Sequence, residues 1–152
     1  MKNILKNYWF VPVIIAVAIV INLFFFRFSV VIGSSMEPTL SSGDITLVDL
    51  NKDIERNDIV VFKHDKNYLV KRVVGLPGEN VQIIENVIYI NGEPIKDAVN
   101  VNMDDYGLAA NAIELKEYEY LVLGDNRNNS RDSREFGAIS KEDILGTVVG
   151  LK

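Results

Sequence analysis

Eighteen residues near the N-terminus, Trp9 to Phe26 (WFVPVIIAVAIVINLFFF), carry no charged side chain. As a helix rising 1.5 Å per residue they span roughly 27 Å, close to the hydrocarbon thickness of a bilayer. No other feature constrains the chain as strongly. Asn22 is the one strongly polar interruption, and Pro12 falls in the first turn, where its missing N–H costs nothing. Tyr8, Trp9 and the Phe24-Phe25-Phe26 cluster mark the two ends in the manner of interfacial aromatic belts, and Arg27 closes the run. The competing reading is a cleavable targeting segment. Its apolar core would run about 7–15 residues and end at a small-residue cleavage site. This run is longer, no Ala-x-Ala follows it, and a cut at Val31-Ile32-Gly33 would free everything downstream from its anchor. The expectation is an uncleaved transmembrane anchor helix over residues 8–27. Lys2 and Lys6 precede it without an acid, which places residues 1–7 in the cytoplasm and residues 28–152 outside it, in a single pass.

The outer part is acidic. The whole chain of 152 residues has a net charge of −5, and residues 1–27 contribute three cations and no acid, leaving −8 for residues 28–152. That argues against a nucleic-acid partner, which needs a basic surface. The chain has no cysteine, which removes disulfides, thiol catalysis and cysteine-based metal sites. Nothing in the sequence calls for a metal or another cofactor.

Residues 28–152 show no repeat and no low-complexity stretch, and the signal is β-rich. Short apolar or alternating runs cover Phe28 to Ile32, Asp44 to Leu50, Asp58 to Lys63, Tyr68 to Val74, Val81 to Ile84, Val87 to Ile90, Tyr118 to Leu123 and Gly146 to Gly150. Turn signals separate them: His64-Asp65-Lys66-Asn67, Gly75-Leu76-Pro77-Gly78, Glu85-Asn86 and Asn91-Gly92. Ser140 caps one helical turn over Lys141 to Leu145. Residues 97–116 are weakly patterned and read as an exposed loop or excursion. The fold class expected is mostly β, a compact antiparallel domain of small sheets behind the N-terminal helix.

Three segments carry the chemistry. A hydroxyl is a poor nucleophile until a base takes its proton. The single histidine, His64, lies in a polar run that reads as a turn, so the better candidate pair is Ser35, in Gly33-Ser34-Ser35-Met36-Glu37-Pro38, with Lys71, in Val70-Lys71-Arg72-Val73-Val74. On a strand Lys71 shares a face with Leu69 and Val73. Burial among them would disfavour the ammonium and leave an amine able to accept a proton. Taken singly, each is an ordinary residue: a surface lysine and a loop serine. The third segment, Gly124 to Gly137, is crowded with polar side chains. By composition it is a solvated loop. The alternative is a network in which Ser130 hydrogen-bonds the Lys71 amine while Asp132 and Arg134 brace the loop as an ion pair. A calcium loop is excluded, because Arg127 and Ser130 occupy its third and sixth positions.

Together, Gly33 to Leu40, Ser42-Gly43-Asp44-Ile45, Lys71 to Glu79 and Gly124 to Arg134 stand in the order and with the residues of the bacterial type I signal peptidases (leader peptidases), which the chain resembles over nearly its whole length. The resemblance implies a membrane-anchored Ser-Lys serine protease that removes signal peptides from exported preproteins after small residues of the Ala-x-Ala type. It implies that Ser35 is the nucleophile, that Lys71 is the general base which later returns the proton to the leaving amine, and that Ser130 orients Lys71. Asp132, Arg134, Asp125 and Arg72 would form the supporting ion pairs. It further implies a core of coiled β-sheets, compact because the stretch from Glu79 to Leu121 is short. Secretory preproteins, the lipid bilayer and the export translocon are the partners it implies, with no cofactor, at the bacterial cell membrane. The reticulum enzymes of eukaryotes carry histidine where this chain has Lys71.

One position departs from part of the family. Some members have a serine two residues before the nucleophile whose hydroxyl holds the oxyanion, and this chain has Gly33 there. The oxyanion hole would then use the Ser35 N–H, with a water or a backbone donor at Gly33 as the second. Val31, Met36, Leu40, Leu69 and Val70 flank the pair and are the candidate lining of small apolar substrate pockets, with ordinary core packing as the alternative. The substrate would lie extended beside the Phe28 to Ile32 and Tyr68 to Lys71 strands, with Phe24, Phe25, Phe26 and Phe28 holding the site at the bilayer surface. Two other readings are a related Ser-Lys processing peptidase with a dedicated substrate and a catalytically silent membrane scaffold. The retention of Ser35, Lys71 and Ser130 argues against the scaffold.

Overall fold

The computed structural model describes Tyr8, residues 10–99 and residues 102–151. Helix α1 covers Phe10–Phe25 (16 residues), about 24 Å long at 1.5 Å per residue. No helix among the described residues is long and apolar enough to cross a membrane. Residues 1–7 and Trp9 lie outside the described residues. The helix ends two residues earlier than expected. Phe26 and Arg27 belong instead to strand β1 (Phe26–Val30), opposite Asp49 and Val48 of β2 (Ile45–Asp49). Sheet pairing wins because the run Phe26-Arg27-Phe28-Ser29-Val30 suits a pleated surface. The Leu50 N–H also takes the Phe25 carbonyl at 2.9 Å, tying the helix end to the sheet.

The remaining strands are β3 (Ile59–His64), β4 (Asn67–Gly75), β5 (Asn80–Ile84), β6 (Val87–Ile90), β7 (Glu93–Ile95), β8 (Ile113–Glu114), β9 (Glu119–Leu123), β10 (Ile139–Ser140) and β11 (Ile144–Leu151). They form a seven-stranded sheet in the order β1-β2-β11-β3-β4-β9-β10 and a four-stranded sheet in the order β7-β6-β5-β8. The strand pairs are antiparallel. The expected hairpins are present. Glu85 and Asn86 both take positive φ (48° and 66°), as do Asn91 and Gly92 (52° and 84°). Two such residues in a row give the turn whose twist matches flanking strands. Pro94 sits in the three-residue strand β7 at the sheet's edge, where a missing donor is tolerated. Ser140 caps the 3₁₀ turn Lys141–Asp143, accepting the Glu142 N–H.

Three apolar clusters hold the sheets together. Val81, Ile83, Ile88, Ile90, Leu121 and Leu123 line one, between the two sheets. Val60, Phe62, Val73 and Val122 form a second. Val31, Met36, Leu40 and Ile59 form a third. The described part of segment 97–116 is largely exposed, as expected of a loop or excursion, but it carries structure of its own and three buried anchors. Among its described residues are a 3₁₀ turn (Gly107–Ala110) and β8, and Met103, Ala109 and Leu115 are buried in the first cluster. These apolar residues stand singly among polar ones, so no helical or strand period announces them. Leu121 is fully enclosed. Leu121→Ala is expected to destabilise the domain by about 2–5 kcal/mol through lost burial and a residual cavity, read as a lowered midpoint in urea unfolding.

Candidate active site

Ser35 sits in the connection between β1 and β2. Two backbone bonds close that connection at its base, Val31 N–H to Asp44 O and Gly43 N–H to Val31 O, both at 2.9 Å. From the other side the segment after β9 grips the serine's backbone. The Asn126 N–H donates to Ser35 O at 3.0 Å, Asn126 Nδ2 to Ser34 O at 3.1 Å, and Asn129 Nδ2 to Ser34 Oγ at 2.9 Å. These bonds hold the Ser34–Ser35 main chain in one place against the segment after β9.

Lys71 lies in the middle of β4, paired with Val60 of β3. Strand alternation puts it on the face of Leu69 and Val73, whose partners across the sheet are Phe62 and Val122. Its side chain is drawn out of water, with 3 % of the residue exposed. The amine reaches Ser35 Oγ at 2.6 Å and donates to Val70 O at 2.9 Å. Burial lowers its pKa from 10.5 to about 8, against the opposing pull of Asp132 and then Asp125. Each acid is already forked by an arginine. Arg72 donates from Nε and Nη2 to the two oxygens of Asp125 at 2.7 and 2.5 Å. Arg134 does the same to Asp132, both at 2.9 Å. These bidentate pairs mute the carboxylates, so desolvation prevails at Lys71.

Gly124 is the junction of the network. Its N–H donates to Asp132 Oδ2 at 2.9 Å, and its carbonyl accepts from Arg127 Nε at 2.9 Å. A Cβ here would lie 2.1 Å from Ser130 Oγ and 2.6 Å from Ser35 O, so any side chain would push the Ser35 backbone away. Asp132 also caps helix α2 (Ser133–Phe136), accepting the Arg134 N–H at 3.2 Å.

The seven expected catalytic and supporting residues fall in this one region, with a difference at Ser130. Its buried hydroxyl makes no hydrogen bond with a described group and lies against Gly124; the expected bond to Lys71 is not made. The amine's contacts go to Ser35 and Val70 instead. The His64 ring stacks on Phe136 at 4.2 Å between centroids. Gly33 has φ of 95° and donates its N–H to Ser42 Oγ at 3.3 Å. Of the candidate pocket residues, Met36 and Leu40 are wholly enclosed, and with Val31 and Val70 they pack in the third cluster, while Leu69 belongs to the second. Leu69 and Val70 remain half-buried. Sequence reasoning missed Asn126 and Asn129, although both lie in a segment already singled out.

The family model described as "Signal peptidase, peptidase S26" matches residues 3–151. The chain belongs to that family. Among its relatives, a "Signal peptidase I" of Bacillus amyloliquefaciens is 38% identical, with 91% of this chain and 83% of the relative aligned. "Signal peptidase I S" of Bacillus subtilis (strain 168) is 35% identical over 96% of this chain and 87% of the relative. A crystal structure of a signal peptidase I from Enterococcus faecalis V583, 31% identical, superposes with a TM-score of 0.54, covering 64% of this chain and 98% of that one. As a member of the peptidase S26 family, the chain is a hydrolase, a serine endopeptidase of the signal peptidase I kind.

Gly124→Ala tests the junction. Overpacking against Ser130 and Ser35 is expected to cost about 1–3 kcal/mol of stability and to lower peptide cleavage by ~10²-fold, measured by thermal melting alongside a cleavage assay.

Proposed function

We propose that this protein is a membrane-anchored endopeptidase that removes signal peptides from secretory preproteins, with Ser35 as nucleophile and Lys71 as general base. The observation that carries the reading is the 2.6 Å contact between Lys71 Nζ and Ser35 Oγ, made by an amine that is almost wholly buried. When neutral, the amine accepts the Ser35 proton as Oγ attacks the scissile carbonyl carbon. As the tetrahedral intermediate collapses, the C–N bond breaks and the Lys71 ammonium returns the proton to the leaving amine of the mature protein. The acyl-enzyme is then opened by water, which Lys71 deprotonates in turn. The Ser35 N–H, with no acceptor among the described residues, is the first oxyanion donor. The second would lie near Gly33, and a missing donor costs about 10²–10³-fold in other hydrolases.

Two open strand edges suit an extended substrate. β1 pairs on one side only, with β2, and residues Asn67 to Lys71 pair with β3 but not with β9, which begins its pairing at Arg72. A peptide running between them would present its backbone for strand addition. Cleavage after small residues of the Ala-x-Ala type follows from the resemblance to the signal peptidases. The anchoring segment is the apolar run that ends at Phe25, crossing once from a cytoplasmic N-terminus and leaving the catalytic domain outside the cytoplasm. Support comes from the apolar run, from Lys2 and Lys6, and from the exposed Phe24, Phe25 and Phe28 where helix meets sheet. Delivery by the export translocon fits that placement.

Purified protein incubated with a preprotein bearing Ala-x-Ala, beside Ser35→Ala and Lys71→Ala, is the direct test. Both variants are expected to lose at least ~10³-fold in kcat/KM; cleavage at the wild-type rate by either would refute the pair. The pH profile gives a second test. Only the neutral amine can accept a proton, and with a pKa of about 8 roughly a tenth of it is neutral at pH 7. The wild-type rate should therefore rise about tenfold per pH unit below 7 and level off above about 8.5. A flat profile between pH 6 and 9 would contradict Lys71 as base.

A further inference from the structure

Lys71, Ser35 and the two forked acids leave one costly feature unexplained. Arg127, in the same segment, has a side chain with no exposed surface. Its Nε donates to Gly124 O at 2.9 Å, its Nη2 donates to Asp97 Oδ1 at 2.8 Å, and its Nη1 pairs with Asp97 Oδ2. Asp97 lies outside all four sequence blocks, in the stretch that follows β7, and its Oδ1 also takes the Val99 N–H at 3.2 Å. The same stretch is fastened to the catalytic segment twice more. The Asp104 N–H donates to Asn128 Oδ1 at 2.9 Å, and Arg134 Nη1 donates to Asp105 O at 3.0 Å.

We propose that Asp97 is a positioning residue for the reaction: it fixes the Arg127 guanidinium, which fixes the Gly124 carbonyl, and so sets where residue 124 meets Ser35 and Asp132. The fork between carboxylate and guanidinium admits one planar arrangement, and with Nη1 and Nη2 held by Asp97 the third donor, Nε, points at one place. That place is the residue whose N–H is bonded to Asp132 and whose Cα packs against Ser130 Oγ and Ser35 O. A pair that only stabilised the domain could end on any carbonyl. This one ends on the junction that sets the spacing between the nucleophile and the acids nearest Lys71.

The inference rests on the Ser35–Lys71 reading, and the experiment separates the two. Full-length Asp97→Asn is compared with wild type and with Ser35→Ala on the same preprotein, with thermal unfolding followed in parallel. Asp97→Asn keeps the shape and loses the charge. Its kcat is expected to fall about ten- to a hundredfold while KM stays within about twofold. Because a lone buried guanidinium is strongly destabilising, the double variant Asp97→Asn with Arg127→Met removes both charges and recovers the melting temperature. Its kcat should remain low, since the tether to Gly124 is gone. Wild-type kcat in the double variant, or a loss in Asp97→Asn no larger than its unfolded fraction, would overturn the proposal and leave Asp97 as a counter-ion. Cleavage by Ser35→Ala would overturn the dyad reading itself, whereas an inactive Ser35→Ala beside a fully active Asp97→Asn would refute the role of Asp97 alone.

Discussion

The architecture turns on taking one amine out of water. A lysine ammonium in an apolar setting is expensive unless it loses its proton or gains a partner. Here the sheet removes the solvent and Ser35 Oγ and Val70 O supply the contacts, so the cost appears as a lowered pKa. The balance is a close one. Asp132 and Asp125 pull the other way, favouring the ammonium, and two arginines occupy their oxygens. Each part of the domain then has a task that can be stated. β3 pairs with β4 at Lys71, β9 joins it from Arg72 onward, and the segment after β9 brings the acids and holds the serine.

That segment also explains why polar crowding is an ambiguous signal. Gly124 to Gly137 reads by composition as a solvated loop, yet its side chains have separate internal destinations. Asp125 goes to Arg72, Asn126 and Asn129 to Ser34, Arg127 to Asp97, Asn128 to the Asp104 N–H, and Ser133 Oγ to the Val122 N–H. Groups paired with one another are strong where the dielectric is low. A polar run with so many internal partners is a rigid element despite having little regular structure.

What could be read from the sequence was local or lay within a known pattern. The hairpin turns at Glu85-Asn86 and Asn91-Gly92 declare themselves through residues that tolerate positive φ, and the alternation around Lys71 gave its apolar neighbours. Ser35, Lys71 and the two acids came together through the resemblance of four separated blocks, since neither Ser35 nor Lys71 is distinctive alone. What escaped depends on partners far along the chain. Asp97 pairs with Arg127 thirty residues on, and Met103, Ala109 and Leu115 reach a core that no local period predicts. Met36 and Leu40 adjoin the serine in sequence and are enclosed in the third cluster, and sequence proximity does not distinguish a wall facing substrate from one facing the core. The helix end was misplaced for a related reason: pairing with β2 claims Phe26 and Arg27.

The direct passage from α1 into β1 has a mechanical meaning. No linker separates Phe25 from Phe26, and the Leu50 N–H is bonded to the last helical carbonyl. From there the chain runs down β1, turns at Gly33 and arrives at Ser35 ten residues beyond the helix. Its path is fixed by five residue pairings with β2. A flexible tether would let a catalytic head sample a sphere of positions. A helix spliced onto a paired strand behaves as a rigid arm, so the height of Ser35 above the helix end is a property of covalent and sheet geometry.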